Sequence, residues 1–193
     1  DELLRILIQP RASKALRMMY ECGLLAVLLP EVVKMKGVPQ PPEFHPEGDV
    51  FDHSLLLLDH MNQPRTEIAL AALFHDIGKP DTFEVSDRIR FNGHDRLGAE
   101  LFQVIAQRLK IPKKLTEHVQ TLIAQHMRLG HVQKMRLHKL KRFLRSETFP
   151  DLLELHRLDC LASHRDLALY DFCKEQCANL QDEELKPPPL LTG

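Results

Sequence analysis

The sequence predicts an all-α fold, a helical bundle, on three observations. Apolar residues recur at spacings of three and four along most of the chain, which is the period of an amphipathic helix. Proline and glycine fall between these runs, where they end helices. Only one short run, RIRF at 88–91, has the composition of a strand. We therefore expect helices throughout and at most a small β-hairpin.

The first segments are predicted to be short helices. A helix over 1–9 is followed by the run RASKALRMMYECG, for which Gly23 is a natural stop. PEVVKMKG is another short helix, started by Pro30 and closed by Gly37. The stretch 38–48, VPQPPEFHPEG, is too rich in proline for a regular element and is predicted to be a loop.

The later helices have longer apolar stripes. In chain order they are predicted at 49–61, 65–76, 94–110, 113–130, 133–145, 149–164 and 166–181. The RIRF run lies in the loop between the second and third of these. We therefore divide the chain into a short N-terminal helical extension, 1–37, the loop 38–48, a main bundle, 49–182, and a proline-rich tail, 183–193.

Composition excludes several classes of protein. The net charge is −1, so the chain as a whole is not drawn to nucleic acid or to an anionic membrane. Its apolar runs are shorter than the roughly 18 residues of a membrane span. Four cysteines without a CxxC pair indicate reduced thiols in a cytoplasmic protein. The opening DELLRILIQP is unlike a signal peptide and begins in mid-helix, so we expect a piece of a longer protein.

Ionisable residues interrupt the apolar stripes where hydrophobic residues would be expected. A lone buried histidine is more often a hydrogen-bonded core residue than a ligand. A buried carboxylate, however, must be neutralised, paired or bound to a metal, and these stripes carry no lysine or arginine. We therefore predict that six such groups converge on divalent cations: His53, His75, Asp76, His94, His126 and Asp159.

The chemistry of this set limits the choice of metal. Four imidazoles and two carboxylates suit Fe, Mn, Co, Ni or Zn, and Mg remains open. Thiolates are not among the six, which disfavours a structural zinc site.

The order of these residues resembles a known motif. His53, His75-Asp76 and Asp159 are similar to the H…HD…D motif of HD-domain metal-dependent phosphohydrolases, and the two further histidines match those of members that bind two ions. The segments GLLAVLLPEV, FHPEGDVFDHSLLLLDHM, LFHDIGKP, FNGHDRLGAE and KPPPLLTG resemble the C-terminal half of bacterial tRNA nucleotidyltransferase / poly(A) polymerase family proteins. That resemblance implies that 1–37 links an HD domain, 49–182, to an upstream nucleotidyltransferase head whose motifs this sequence lacks.

The resemblance also implies a reaction, the hydrolysis of a phosphomonoester, a 2′,3′-cyclic phosphate or a nucleotide. Its substrate would be a phosphorylated nucleotide or an RNA 3′ end, with tRNA bound through the full-length protein. One or two ions are expected, and Asp76 is the natural bridge between them because a carboxylate has two oxygens. One ion would take His53, His75, Asp76 and Asp159, and the other Asp76, His94 and His126.

Three further residues are candidates for binding the phosphate. Lys79 follows a tight turn at Gly78 and is expected to act at the catalytic centre beside Asp76, although a solvated lysine would give the same pattern. Arg128 is a weaker candidate. His156, three residues before Asp159, could also face the substrate.

A basic segment is a candidate for RNA contact. Its cations are Lys134, Arg136, Lys139, Lys141, Arg142 and Arg145, and its predicted apolar seam is Leu137, Leu140 and Leu144. Such a stripe could follow an RNA backbone. The polar face has no interleaved aromatic residue, which argues against base stacking. A solvated face of the bundle remains an alternative.

Two other functions stay open at this point. The chain could be a catalytically idle module that binds metal and RNA and supports the head. It could also be a di-iron oxidase, since some HD-type sites activate oxygen. The complete set of six ligands favours an active site over a relic, and Lys79 with the RNA-related flanks favours phosphate chemistry.

Overall fold

Helices make up nearly all of the regular structure. The structure is a computed structural model that describes residues 2–42, 45–46 and 48–185. The helices within that part are α1 Glu2–Leu7, α2 Ala12–Glu21, α3 Leu24–Leu28, α4 Pro30–Val33, α5 Val50–Asp59, α6 Thr66–Phe74, α7 His94–Arg108, α8 Lys113–Gln125, α9 Leu137–Leu144, α10 Phe149–Ala162 and α11 Ala168–Leu185. Two strands, β1 Phe83–Val85 and β2 Ile89–Phe91, pair antiparallel as a hairpin. The all-α prediction with one small hairpin is confirmed.

Several helix boundaries differ from the prediction; α4, for example, ends at Val33 rather than at Gly37. The helix predicted over 113–130 ends at Gln125, and 126–134 is a 3₁₀ segment. The ring of His126 hydrogen-bonds the carbonyl of Ile123, which competes with the helical ladder, and Gly130 weakens a helix further. The next helix therefore begins at Leu137 rather than at 133.

The C-terminal boundary also differs. Helix α11 continues to Leu185, past the predicted start of the tail at 183. Residues 186–193 of that predicted tail lie outside the described residues.

The seam predicted for the basic helix is wrong at one position. Leu137 is 63% exposed, whereas Phe143 is buried together with Leu140 and Leu144. Because α9 begins at Leu137, that residue lies in its first turn and faces solvent instead of the core.

Helix α6 forms the centre of the hydrophobic core. Every residue from Ile68 to Phe74 is buried, and the helix packs against α1, α5, α8 and α10. Its small residues, Ala69, Ala71 and Ala72, let these neighbours approach closely. Its larger side chains each contribute about 1.5–3 kcal/mol by leaving water.

Within the described residues, no helix has both the length and the hydropathy that crossing a membrane requires.

The N-terminal helices share this core. Leu7, Leu16 and Leu25 are fully buried in the same apolar cluster as α6. Polar contacts reinforce the packing, since Arg17 pairs with Asp52 of α5 and the Arg108 guanidinium at the end of α7 pairs with Glu31 of α4. Residues 2–37 are therefore packed onto the bundle.

The proline-rich segment is a loop closed at its base. Pro39 and Asp49 form an isolated β-bridge, and the backbone N–H of Val50 donates to the carbonyl of Val38. The Asp49 side chain accepts hydrogen bonds from the N–H groups of Gly37 and Asp52, which caps α5. This closure holds the described part of the loop beside the start of α5.

Candidate metal centre

Helix ends bring the six predicted ligands to one end of the bundle. His53 lies in the first turns of α5, and His75 and Asp76 follow the last residue of α6. The other three are similarly placed: His94 begins α7, His126 follows α8, and Asp159 is in the last turn of α10. Since α5, α6 and α10 pack together and α6 also contacts α8, these ends converge.

The first group of ligands surrounds one oxygen of Asp76. The Nε2 atom of His53 is 3.0 Å from Asp159 Oδ1 and 3.9 Å from Asp76 Oδ2. The Nε2 atom of His75 is 3.2 Å from the same Oδ2. Single ligand atoms of His53, His75 and Asp159 all lie within 4.8 Å of one another, close enough to hold one ion.

The second group surrounds the other oxygen of Asp76. Its Oδ1 is 3.4 Å from His94 Nε2 and 3.7 Å from His126 Nε2, and these two nitrogens are 3.2 Å apart. Asp76 thus presents one carboxylate oxygen to each group. This arrangement has the geometry of a bridging ligand between two cations.

Backbone carbonyls fix the orientation of three rings. The Nδ1 atoms of His75, His94 and His126 each hydrogen-bond the carbonyl oxygen three residues earlier, at 3.0, 2.7 and 2.7 Å. A carbonyl only accepts, so each Nδ1 carries a proton, and in the neutral form of each ring the Nε2 lone pair points at the centre. Histidine ligands of metals are commonly held in this way.

Burial and neighbouring charge shift the pKa values of the centre in opposite directions. Burial would raise the pKa of Asp76, but His75 and Lys79 hold it well below its usual range. Burial likewise opposes ionisation of Asp159, yet its contact with His53 lowers its pKa. Burial lowers the pKa of His126 to about 4. For His94, the neighbouring Asp76 outweighs burial and raises the pKa. The two carboxylates are thus ionised and His126 is neutral near pH 7.

The donor set fits divalent cations. His75 Nε2 is buried and has no hydrogen-bond partner within the described residues. The Nε2 atoms of His94 and His126 face each other at 3.2 Å. At that distance their two lone pairs would repel each other unless a proton or a cation lies between them. Four imidazole nitrogens with carboxylate oxygens suit borderline first-row metals, as the sequence predicted.

The centre opens onto a cavity of about 740 Å³. Asp159, whose side chain is 31% exposed, lies on the open side of the metal centre. The cavity wall also contains residues that were not predicted from the sequence: Pro41, His45, Arg88, Ile89, Arg90, Phe91, Asn92, Met127, Ser163 and His164. A smaller cavity of about 390 Å³ lies at the opposite ends of α5 and α6, beside Met61 and Arg65, and none of the six ligands lines it.

Lys79 is buried rather than solvated. Its side chain is 9% exposed, and its Nζ lies 2.6 Å from Asp76 Oδ2. Nζ also donates a hydrogen bond to Gln40 Oε1 at 2.6 Å and lies 5.2 Å from the centre of the Phe91 ring. Two of its three N–H donors are therefore engaged, and the third is left for a ligand in the cavity that Lys79 lines. Gln40, in the proline-rich loop, was not predicted to contact the centre.

We expect Lys79→Met to destabilise the metal-free protein by about 3 kcal/mol or more, because it leaves the buried Asp76 carboxylate without its cation. A bound divalent cation compensates for that charge, so the stabilisation by Mn²⁺ should be larger in the variant than in the unmodified chain. Thermal unfolding with EDTA and with Mn²⁺ measures both effects. Lys34→Met, which removes an exposed lysine 3.9 Å from Asp81, is the control. Equal stability of Lys79→Met and the unmodified chain in EDTA would contradict this role.

The two weaker candidates for phosphate contact lie away from the cavity wall. Arg128 is exposed, and its guanidinium stacks 4.4 Å from the centre of the Phe143 ring while it donates to Gln125. His156 is half-buried beside the thiol of Cys160, and burial lowers its pKa. Neither lines the cavity, so the structure does not support a phosphate contact for either residue.

The comparisons with known families agree with this geometry. Residues 49–163 match the HD domain family, and the chain belongs to that family. Residues 1–35 match a second family, described as a probable RNA and SrmB-binding site of polymerase A. HD domains bind divalent metals, which agrees with the donor set of the candidate centre.

Three relatives illustrate the wider similarity. The CC-adding tRNA nucleotidyltransferase of Thermus thermophilus is 37% identical over 84% of this chain and 38% of its own length. The A-adding tRNA nucleotidyltransferase of Deinococcus radiodurans is 34% identical over 100% of this chain and 47% of its own. The Multifunctional CCA protein of Acidovorax sp. (strain JS42) is 38% identical over 65% and 30%. The chain thus spans less than half the length of these curated relatives, and the predicted family is confirmed.

Proposed function

We propose that this chain is a metal-dependent phosphohydrolase domain that acts on a phosphomonoester or a 2′,3′-cyclic phosphate of a nucleotide or an RNA 3′ end. The observation that carries the proposal is the Asp76 carboxylate, which presents one oxygen to each of two groups of imidazoles. Such a bridge is what a two-metal phosphoryl-transfer site needs. The domain would form part of a longer tRNA nucleotidyltransferase / poly(A) polymerase family protein, as the names of the relatives suggest.

The residues of the centre have separate tasks in this reaction. When bound, two divalent cations polarise the phosphoryl group and lower the pKa of water toward neutrality. Asp76 would hold both groups of ligands together by offering one oxygen to each, and the backbone carbonyls keep the Nε2 atoms of His75, His94 and His126 aimed inward. The remaining N–H of Lys79 would donate to a phosphate oxygen. Hydrolysis then forms one bond from a water oxygen to phosphorus and breaks the bond to the leaving oxygen, which takes up a proton.

The cavity is large enough for one nucleotide. Its volume of about 740 Å³ lies within the usual range for small-molecule sites. Phe91 and the arginines Arg88 and Arg90 of the hairpin line its wall, and the buried Nε of Arg90 has no hydrogen-bond partner within the described residues. A ring and guanidinium groups suit a base and a phosphate, respectively.

The test is a hydrolysis assay with purified chain after metal analysis. We expect turnover of nucleoside 2′,3′-cyclic phosphates or 3′-phosphates with Mn²⁺, Co²⁺, Ni²⁺ or Mg²⁺. His75→Ala should lower the rate about 100-fold or more, because it removes a ligand whose ring is fixed by the fold. His131→Ala, which removes an exposed histidine, should leave the rate unchanged.

A module that binds RNA without hydrolysis is the second candidate, because residues 1–35 match a family described as RNA-binding. Metal binding with no turnover of any phosphate ester would favour that module over the hydrolase. Oxygen uptake with an organic substrate, and no phosphate release, would point to a di-iron oxidase instead.

A further inference from the structure

One continuous stretch of the chain is basic and contains no acidic residue. Residues 118–146 carry seven of the chain's 26 lysines and arginines but none of its 27 aspartates and glutamates. In a protein of net charge −1, this stretch concentrates positive charge on one part of the surface. It covers most of α8, the 3₁₀ segment 126–134 and α9.

Four cations of this stretch are exposed and unneutralised. Lys134, Arg136, Lys139 and Arg142 are exposed, and none forms an ion pair with another described residue. We call these four residues the basic face. Some exposed cations elsewhere are instead paired with nearby carboxylates, as in Arg96–Glu100 at 3.2 Å and Lys113–Glu117 at 3.7 Å. The basic face thus has positive charge available for a partner.

The 3₁₀ segment connects the basic face to the cavity. It begins at His126, a member of the candidate metal centre, and the next residue, Met127, lines the cavity and is 52% exposed. Arg128 then stacks on Phe143 of α9. A polyanion bound along the basic face would therefore run beside the mouth of the cavity.

The apolar side of α9 determines which polyanion fits. Helices that bind membranes insert an apolar face into the bilayer. In α9 that face is Leu140, Phe143 and Leu144, and all three are buried in the protein, which leaves Leu137 as the one exposed leucine of the helix. A single exposed leucine is too little apolar surface to insert into a bilayer, so the basic face acts chiefly through its charges, at successive positions along an extended chain of anions. Backbone phosphates of single-stranded nucleic acid have this form.

We propose that the basic face binds backbone phosphates of single-stranded RNA whose 3′ end enters the cavity. Entry of the 3′ end rests on the proposed hydrolase function, whereas binding to the face does not. If the basic face binds in this way, the substrate is a polymer with a phosphorylated terminus rather than a free mononucleotide. Its four cations would each displace one condensed counterion from the RNA.

The test is RNA binding by the 193-residue chain as a function of salt concentration. For single strands, log affinity falls with log salt at about −0.7 per phosphate contact, so four contacts give a slope of about −3. Lys139→Gln with Arg142→Gln should halve that slope. At 0.1 M salt the affinity should then fall roughly 25-fold, because the plots of log affinity against log salt concentration for the variant and the unmodified chain meet near 1 M. Arg96→Gln with Lys113→Gln changes the charge equally on α7 and α8 and is the matched control. The probe is a labelled 12-nucleotide RNA with a 3′-phosphate.

The outcomes separate this proposal from the proposed function. Hydrolysis of p-nitrophenyl phosphate should be the same in both double variants, whereas KM for the 3′-phosphorylated RNA should rise only in the variant of the basic face. Equal RNA affinity of the two double variants would overturn the proposal, as would binding to phosphatidylserine vesicles as tight as binding to RNA. Absence of hydrolysis by the unmodified chain would count against the phosphohydrolase function, while the salt slope would still decide whether the basic face binds RNA.

Discussion

Replacing Asp76 with asparagine should abolish binding of a second metal ion and lower phosphate-ester hydrolysis about 1,000-fold or more. The carboxylate faces His75 Nε2 at 3.2 Å with one oxygen and His94 Nε2 at 3.4 Å with the other. An amide of the same shape keeps only one acceptor oxygen, and its NH₂ group would donate to the lone pairs of the other histidine group. A loss of about 4 kcal/mol of transition-state stabilisation corresponds to that change in rate.

Metal stoichiometry after dialysis and the hydrolysis rate together measure this effect. Asp81→Asn is the control, because Asp81 is an exposed acid five residues further along the chain that only approaches Lys34 at 3.9 Å. Unfolding of the Asp76→Asn protein in EDTA must be followed in parallel, since the substitution also removes the charge partner of Lys79. Two ions per chain in Asp76→Asn would rule out Asp76 as the bridge.

The sequence was informative about the ligands because they interrupt periodic helices. The stripe of α10 runs through Leu152 and Leu155 to Asp159, so the helical period alone places that carboxylate toward the other helices. The same reasoning applies to His126 after the buried Leu122 of α8. Burial of an ionisable group is costly, and this cost is what made these positions stand out from ordinary surface residues.

The sequence was less informative wherever a loop carries the residue. Gln40 and His45 lie in the proline-rich loop, and His164 follows the end of α10, so no helical period fixes the direction of their side chains. The contact of Gln40 with Lys79 joins residues 39 positions apart. A strong signal for it could come only from the folded loop, in which Pro39 pairs with Asp49. The length of α8 was overestimated for a related reason, since the ring of His126 takes the carbonyl of Ile123.

Replacing Gly78 with alanine should destabilise the protein by about 3 kcal/mol or more, because there is no space for a Cβ atom. An added Cβ would lie 2.3 Å from the carbonyl oxygen of His94 and 2.9 Å from the backbone nitrogen of Gly98. Both contacts are with backbone of α7, so a change of rotamer cannot relieve them. The turn at Gly78 and the first turn of α7 would have to separate.

That separation should also weaken the metal centre, because the turn carries Asp76 and the first turn of α7 carries His94. Denaturant unfolding and Mn²⁺ titration of the same Gly78→Ala protein therefore report on one displacement in two ways. Gly130→Ala is the control, since an added Cβ there meets nothing within 4 Å. Gly98→Ala is an intermediate case, because its nearest contact is the movable Cγ2 of Ile123 at 3.2 Å and alanine gains about 1 kcal/mol of helix propensity. If Gly78→Ala unfolds at the same denaturant concentration as Gly130→Ala, the turn is not packed against α7, and the distances between Asp76 and His94 that support the two-metal centre would be wrong.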